Sequence, residues 1–243
     1  GALTRELAKV ATRVLSIEID SGLFRLVSGL LKDEPNVRVF HGDVLKTKNK
    51  LNPEFCEAIK EELKAPGIKG VRVIANLPYA IATPLVAQLL EFGTAMRGFT
   101  ILVQKEAAER FIARSGTKAY GSVSVLIAQW MRGRILRSVP REVFFPRPNV
   151  ESSVLSLTAL EGEEMPSPEL YETLKPMVRT LFNSRRKTLN KAAKIAAKCD
   201  PSLEKLREAI LACEFDLQLR VEDLEPEDFR RLAMQLIEIR DKK

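Results

Sequence analysis

A chain of 243 residues has room for one large domain, or for one with a smaller companion, and can bury a substantial core. Its 39 basic against 32 acidic residues leave a net charge of +7, which favours an anionic partner and argues against an acidic one. No run of about eighteen apolar residues is present, so no membrane span is expected; no secretory leader is visible either, and a cytoplasmic place is expected. Cys56, Cys199 and Cys213 are odd in number and far apart, which fits reduced thiols. With one histidine, His41, and so few cysteines near it, no metal site is expected.

Strand and helix signals alternate along the first part of the chain. Val14 to Asp20 reads as a strand and Ser21 to Leu31 as a helix. Val37 to Asp43 and then Pro53 to Lys64 repeat the pair. Val71 to Ala75 and Thr83 to Phe92 follow, then Phe99 to Gln104 and Lys105 to Arg114. Such alternation argues for a parallel sheet with helices on both faces, an α/β fold. Ser122 to Met131 is a further apolar helix. Arg134 to Phe144 and Ser152 to Leu160 are strands joined by a proline-rich turn. Gly, Glu and Pro cluster between Glu161 and Pro168, which sets a boundary between domains 1–160 and 161–243. Beyond it the signals are helical only: Glu169 to Phe182, Arg185 to Lys198, Ser202 to Ala212 and Glu227 to Arg240.

The motif with the most chemistry is Asn76-Leu77-Pro78-Tyr79, where the apolar run from Val71 empties into a loop. The carboxyl end of a buried strand is where α/β proteins hold ligands. The Asn76 carboxamide can accept a hydrogen from an exocyclic amine, Pro78 stiffens the turn, and Tyr79 offers a face to a flat base. An ordinary strand exit with a capping Asn is the plainer alternative. At the ends of the two earlier strands stand Glu18 or Asp20, either of which can accept from ribose hydroxyls, and Asp43, which can accept from an adenine amine or simply close a turn. Phe144-Phe145-Pro146-Arg147-Pro148 is a stiff loop that can present one ring at a fixed place, the other ring filling the core. From Lys175 to Lys198 no acid occurs, and Lys187, Lys191, Lys194 and Lys198 recur at helical spacing. Solvated helix faces normally mix signs; a one-sign face suits a nucleic-acid backbone.

These motifs resemble the class I S-adenosylmethionine-dependent methyltransferases that act on ribosomal RNA adenines, most closely the bacterial small-subunit dimethyltransferases (KsgA type), over nearly the whole chain. The resemblance implies a Rossmann-like sheet closed by an antiparallel strand pair, with a small C-terminal helical domain that holds RNA. It implies S-adenosylmethionine as methyl donor, no metal, and dimethylation at N6 of adjacent adenines near the 3′ end of small-subunit ribosomal RNA, in an immature subunit, by a monomer. Asn76, Leu77, Pro78, Tyr79 and Phe144 would then be the catalytic set, with Tyr79 and Phe144 against the target base and Phe145 in the core. Gly1, Glu18, Ile19, Asp43, Val44 and Asn76 would hold the cofactor. Lys118 and Tyr120 in Lys118-Ala119-Tyr120-Gly121, with Arg185, Arg186, Lys187, Lys191 and Lys194, would contact RNA. Gly1-Ala2-Leu3-Thr4 matches the end of the family's glycine-rich cofactor loop. The strand before that loop is then expected to be missing, leaving a break in the sheet between the strand ending at Asp20 and that ending at Ala75, with weak or no cofactor binding by this chain, which is expected to be inactive alone. A large-subunit dimethyltransferase of the macrolide-resistance kind and a non-catalytic RNA-binding assembly factor on the same fold are the rival readings.

Overall fold

In a computed structural model, residues 1–47, 50–162 and 165–242 are described. They form two compact units, Gly1–Arg97 and Gly98–Lys243. The first opens with helix α1 (Ala2–Ala8), which the sequence reading did not anticipate. Strands β1 (Val14–Glu18) and β2 (Val37–His41) pair in parallel, from Val14 opposite Val37 to Glu18 opposite His41, around helix α2 (Ser21–Leu30). Asp20 starts α2 where the strand stops: its Oδ1 accepts from Leu23 N at 2.7 Å. The Asn36 side chain donates to the carbonyls of Ala8 (2.8 Å) and Ala11 (2.9 Å), fixing the end of α1 against the entry to β2.

Two short antiparallel strands, β3 (Leu45–Thr47) and β4 (Lys50–Leu51), escaped the sequence reading, being too short to show a period. Helix α3 (Pro53–Leu63) has the expected start, with Asn52 accepting from Glu54 N at 3.0 Å and Pro53 at its first position. Strand β5 (Val71–Asn76) follows, then α4 (Ala82–Leu89), continued as a 3-10 turn to Ala95. The break expected in the sheet is present: among the described residues β1 pairs with β2 alone, and β5 pairs with neither. Accordingly β5 is not the buried strand that its apolar run suggests. Val71, Val73 and Ala75 are half-buried, whereas Arg72, Ile74 and Asn76 are exposed, so only one of its faces is covered.

Strand β6 (Met96–Gln104) leads into the second unit. There β8 (Ser152–Ala159) lies between β6 and β7 (Met131–Val139), antiparallel to both, which is the strand pair expected to close the sheet. Helices α5 (Lys105–Phe111) and α6 (Ser122–Ala128) pack against this sheet. Gly133 of β7 leaves room for that packing, since a Cβ there would stand 2.3 Å from Ile112 and 2.7 Å from Leu157. Four helices complete the unit: α7 (Pro168–Phe182), α8 (Leu189–Cys199), α9 (Leu206–Ala212) and α10 (Pro226–Asp241). Their shared core contains Leu174, Leu181, Leu189, Ile210, Phe229 and Leu236, all fully buried.

The compact units divide at Arg97, so residues 161–243 belong to the same unit as 98–160. The reason is a set of bonds joining α6 and the loop before it to the C-terminal helices. Tyr120 donates its hydroxyl to Leu224 O at 2.8 Å, Gln129 Nε2 donates to Pro226 O at 2.8 Å, and Arg230 Nε donates to Gln129 Oε1 at 3.0 Å. Glu163 and Glu164, within the expected boundary, lie outside the described residues.

Candidate functional site

Within the first unit, a carboxylate stands at the end of each of the paired strands β1 and β2, where Gly42 N donates to Glu18 O at 2.9 Å. Glu18 ends β1 half-buried, and its Oε1 accepts from Asp20 N at 2.9 Å. Asp20 in turn spends its Oδ1 on capping α2. Asp43 stands two residues past the end of β2, exposed, with Oδ1 accepting from Leu45 N at 2.9 Å; it closes a turn, as the plainer alternative held, and still presents its carboxylate to solvent. Beside Glu18, Ile19 is 65 % exposed, an apolar side chain with no core to enter. Val44 is half-buried. Gly1 precedes α1 as its cap residue, and its carbonyl accepts from Arg5 N at 2.9 Å.

The loop after β5 is built to hold a carboxamide outward. Asn76 is exposed at the strand's last position, and Leu77 is buried to 6 %, anchoring the backbone next to it. The Pro78 carbonyl accepts from Ile81 N at 3.1 Å, turning the chain directly into α4. Pro78 is exposed and Tyr79 half-buried.

In the second unit, Phe144 is half-buried where a short 3-10 turn, Arg141–Val143, ends. Phe145, expected to be the core partner, is instead fully exposed at 102 %. It stands in a bend of the loop between β7 and β8, outside either strand, where no packed layer covers its ring.

Tyr120 is a second correction. Expected on the RNA side, it is 0 % exposed, with its ring edge-on to Phe182 at 5.6 Å and its hydroxyl on Leu224 O. Burial, reinforced by Glu225, Glu227 and Asp228, holds that hydroxyl protonated far above the usual tyrosine range. Tyr120→Phe should lower unfolding free energy by about 1 kcal/mol, because the Leu224 carbonyl loses its donor, and should leave RNA affinity unchanged. Urea unfolding beside RNA titration checks both halves.

Arg185 is the third. Its Nε donates to Glu222 Oε2 at 2.9 Å, and both terminal nitrogens reach the Lys118 carbonyl at 3.4 Å. Glu222 is itself held, its N–H on Arg185 O (3.3 Å) and its carbonyl accepting from Gly116 N (2.9 Å). Arg185 therefore ties three loops together and spends its guanidinium doing so. Glu222 carried no sequence signal for this role. Arg186, Lys187 and Lys118 are exposed, as are Lys191, Lys194 and Lys198 on α8, opposite the buried Leu189, Ala192, Ala193 and Ala196.

Helix α8 begins at Leu189, four residues later than its charge pattern suggested. Leu189 N donates to Leu219 O at 2.7 Å, Asn190 N to Leu217 O at 3.2 Å, and Thr188 bridges to Arg220. Those bonds replace a helical turn over 185–188, so Lys187 lies before the helix and not on it.

A family model for ribosomal RNA adenine dimethylase matches residues 1–233. The chain belongs to that family. It is a methyltransferase, and its relatives bear this out: it is 36% identical to the ribosomal RNA small subunit methyltransferase A of Lysinibacillus sphaericus (strain C3-41), over 96% of this chain and 77% of the relative. To the protein of the same description from Alkaliphilus oremlandii (strain OhILAs) it is 38% identical, over 97% and 78%. Among solved structures, a dimethyladenosine transferase from Plasmodium falciparum superposes with a TM-score of 0.73 over 98% of this chain and 86% of that one, at 23% identity. The 23S rRNA methyltransferase ErmE does so at 0.60, over 98% and 87%, also at 23% identity. These likenesses show the fold, the Rossmann-like class I methyltransferase α/β fold with a helical C-terminal part. The residues at the ends of β1 and β2 fit the adenosine half of a nucleoside methyl donor. Its hydroxyls and amine are donors, Glu18 and Asp43 are acceptors, and Ile19 offers the apolar surface a purine needs.

Proposed function

We propose that this protein transfers methyl groups from S-adenosylmethionine to N6 of adjacent adenines near the 3′ end of small-subunit ribosomal RNA, twice on each base. The observation that carries the reading is the Asn76 loop, an exposed carboxamide at the end of β5 followed directly by buried Leu77 and the Pro78–Ile81 bond, which fix the backbone beyond it.

Adenine N6 is a weak nucleophile because its lone pair is delocalised into the ring. It needs aiming more than deprotonation. The Asn76 Oδ1 and the Leu77 carbonyl are the acceptors that hold its hydrogens and turn the lone pair outward; Tyr79 supplies a face for a base drawn from its stack, and Phe144 a second aromatic surface. When bound, the methyl donor supplies an electrophilic methyl group. Glu18 and Asp43 orient its adenosine half, with Ile19 and Val44 beside the ring and Gly1 next to the methionine part. Catalysis is then positioning and preorganised polarity: as the bond from N6 to the methyl carbon forms and the donor's methyl–sulfur bond breaks, N6 gives up one proton to solvent, and no side chain is asked to take it. Arg186, Lys187, Lys191, Lys194 and Lys118 meet the RNA backbone, residues 161–243 serving as the RNA-holding domain. The proposed partner is an immature small subunit, met by a monomer in the cytoplasm; among the described residues no helix is long and apolar enough to cross a membrane.

The test is methyl transfer by the protein in its natural length, with small-subunit and large-subunit ribosomal RNA offered separately. Dimethyladenosine in the small-subunit RNA alone is the expected result. Its appearance only in large-subunit RNA would move the protein to the macrolide-resistance kind, and RNA binding without methyl transfer would make it an assembly factor.

A further inference from the structure

Strand β7 is the outer strand of its sheet and carries Arg132, Arg134 and Arg137, all exposed, with no acidic residue along it. Its core face is set by pairing: Gly133 lies opposite Leu157 and Ile135 opposite Leu155, both buried. Arg132, opposite Thr158, and Arg134, opposite Ser156, therefore stand on the other face. Plain alternation would send Arg137 to the core face with Gly133 and Ile135. It does not go there. The register shifts between Ile135 and Arg137, so that Arg137 stands opposite Val154, in line with Ser156 and Thr158. The residue taken up by the shift is Leu136, left 46 % exposed. The bulge thus collects three guanidinium groups in one row, successive members roughly 6.6 Å apart along a strand of two-residue period.

Charge on an outer strand also discourages pairing with another sheet. That role is served by a charge on either face, and it gives no reason for a bulge that brings the third arginine round to join the first two. Neither Arg134 nor Arg137 has an ion-pair partner among the described residues, whereas Arg141 and Arg147 in the following loop both pair with Glu142. We propose that the β7 row is a second cationic contact for the ribosomal RNA backbone, carried by a different element from the α8 lysines. The inference rests on the reading of the chain as a ribosomal RNA methyltransferase.

The experiment is titration of a small-subunit ribosomal RNA transcript with the natural-length protein across a range of salt, for the parent, for Arg134→Gln with Arg137→Gln, and for Lys191→Gln with Lys194→Gln. The arginine pair should flatten the salt dependence by roughly 1.5 to 2 units of slope and weaken binding about tenfold or more at low salt, as two lost phosphate contacts would. Arg134→Lys with Arg137→Lys keeps the charge and should bind like the parent; binding as weak as the glutamine pair's would overturn the proposal, since a folding defect or a shape-specific contact would then be responsible. A parental slope in the glutamine pair, with the α8 pair flattened, would make the row an edge guard and leave the methyltransferase reading standing. A parent with no salt-dependent affinity for the transcript would sink both.

Discussion

Asn76→Ala should cut methyl transfer by about a hundredfold or more while leaving the binding of RNA and of the methyl donor nearly unchanged. The size is that of losing one preorganised polar contact to the reacting group. The fold should not suffer, because Asn76 is exposed and the buried anchor of the loop is Leu77. Single-turnover kinetics with separate binding measurements distinguish this from a loss of affinity. If the variant turns over at a rate close to the parent's, Asn76 is only the last residue of a strand.

The second large effect is expected at Arg185. Arg185→Ala leaves Glu222 at 17 % side-chain exposure without its guanidinium and frees the Lys118 carbonyl. A loss of stability on the order of 2 kcal/mol is expected, as for truncating one side of a partly buried charged pair. The salt slope of RNA binding should hardly move. Arg186→Ala should do the reverse, flattening the slope by about one unit with no loss of stability. Glu222→Ala combined with Arg185→Ala should cost less than the two single losses added together. A slope change in Arg185→Ala equal to that in Arg186→Ala, at parental stability, would restore Arg185 to the RNA contacts.

Local signals told most of the fold. Alternating periods located β1, β2, β5, α2 and α3 to within a few residues, and Asn52-Pro53 marked a helix start by chemistry that acts within one turn. What the sequence hid was set over long distances. Tyr120 sits in a loop that reads as exposed, and only the Leu224 carbonyl, 104 residues away, makes it a core residue. Arg185 belongs to an acid-free run, and its acid lies 37 residues on. The two adjacent phenylalanines could not be told apart by pattern, because they are neighbours in a loop before a proline and neither lies in a strand. The bulge of β7 was equally hidden: arginines at 132 and 134 show a period of two, and Arg137 breaks it unless the extra residue is seen against β8. The site residues of the first unit were the most legible, because strand ends and the loops after them can be located from the strands alone.

The way α8 begins constrains how its lysines work. The first amides of a helix are ordinarily its anion-binding groups, fixed in direction and backed by the helix dipole. Here the N–H groups of Leu189 and Asn190 are already spent on the carbonyls of Leu219 and Leu217. With those two amides closed to a phosphate, α8 has the ammonium groups of Lys191, Lys194 and Lys198 as its main cationic groups. Such groups follow a polyanion as a diffuse field and do not fix the position of any one oxygen. If α8 meets RNA as proposed, register on the target falls to other contacts, and variants of these lysines should weaken binding without changing which adenine is modified.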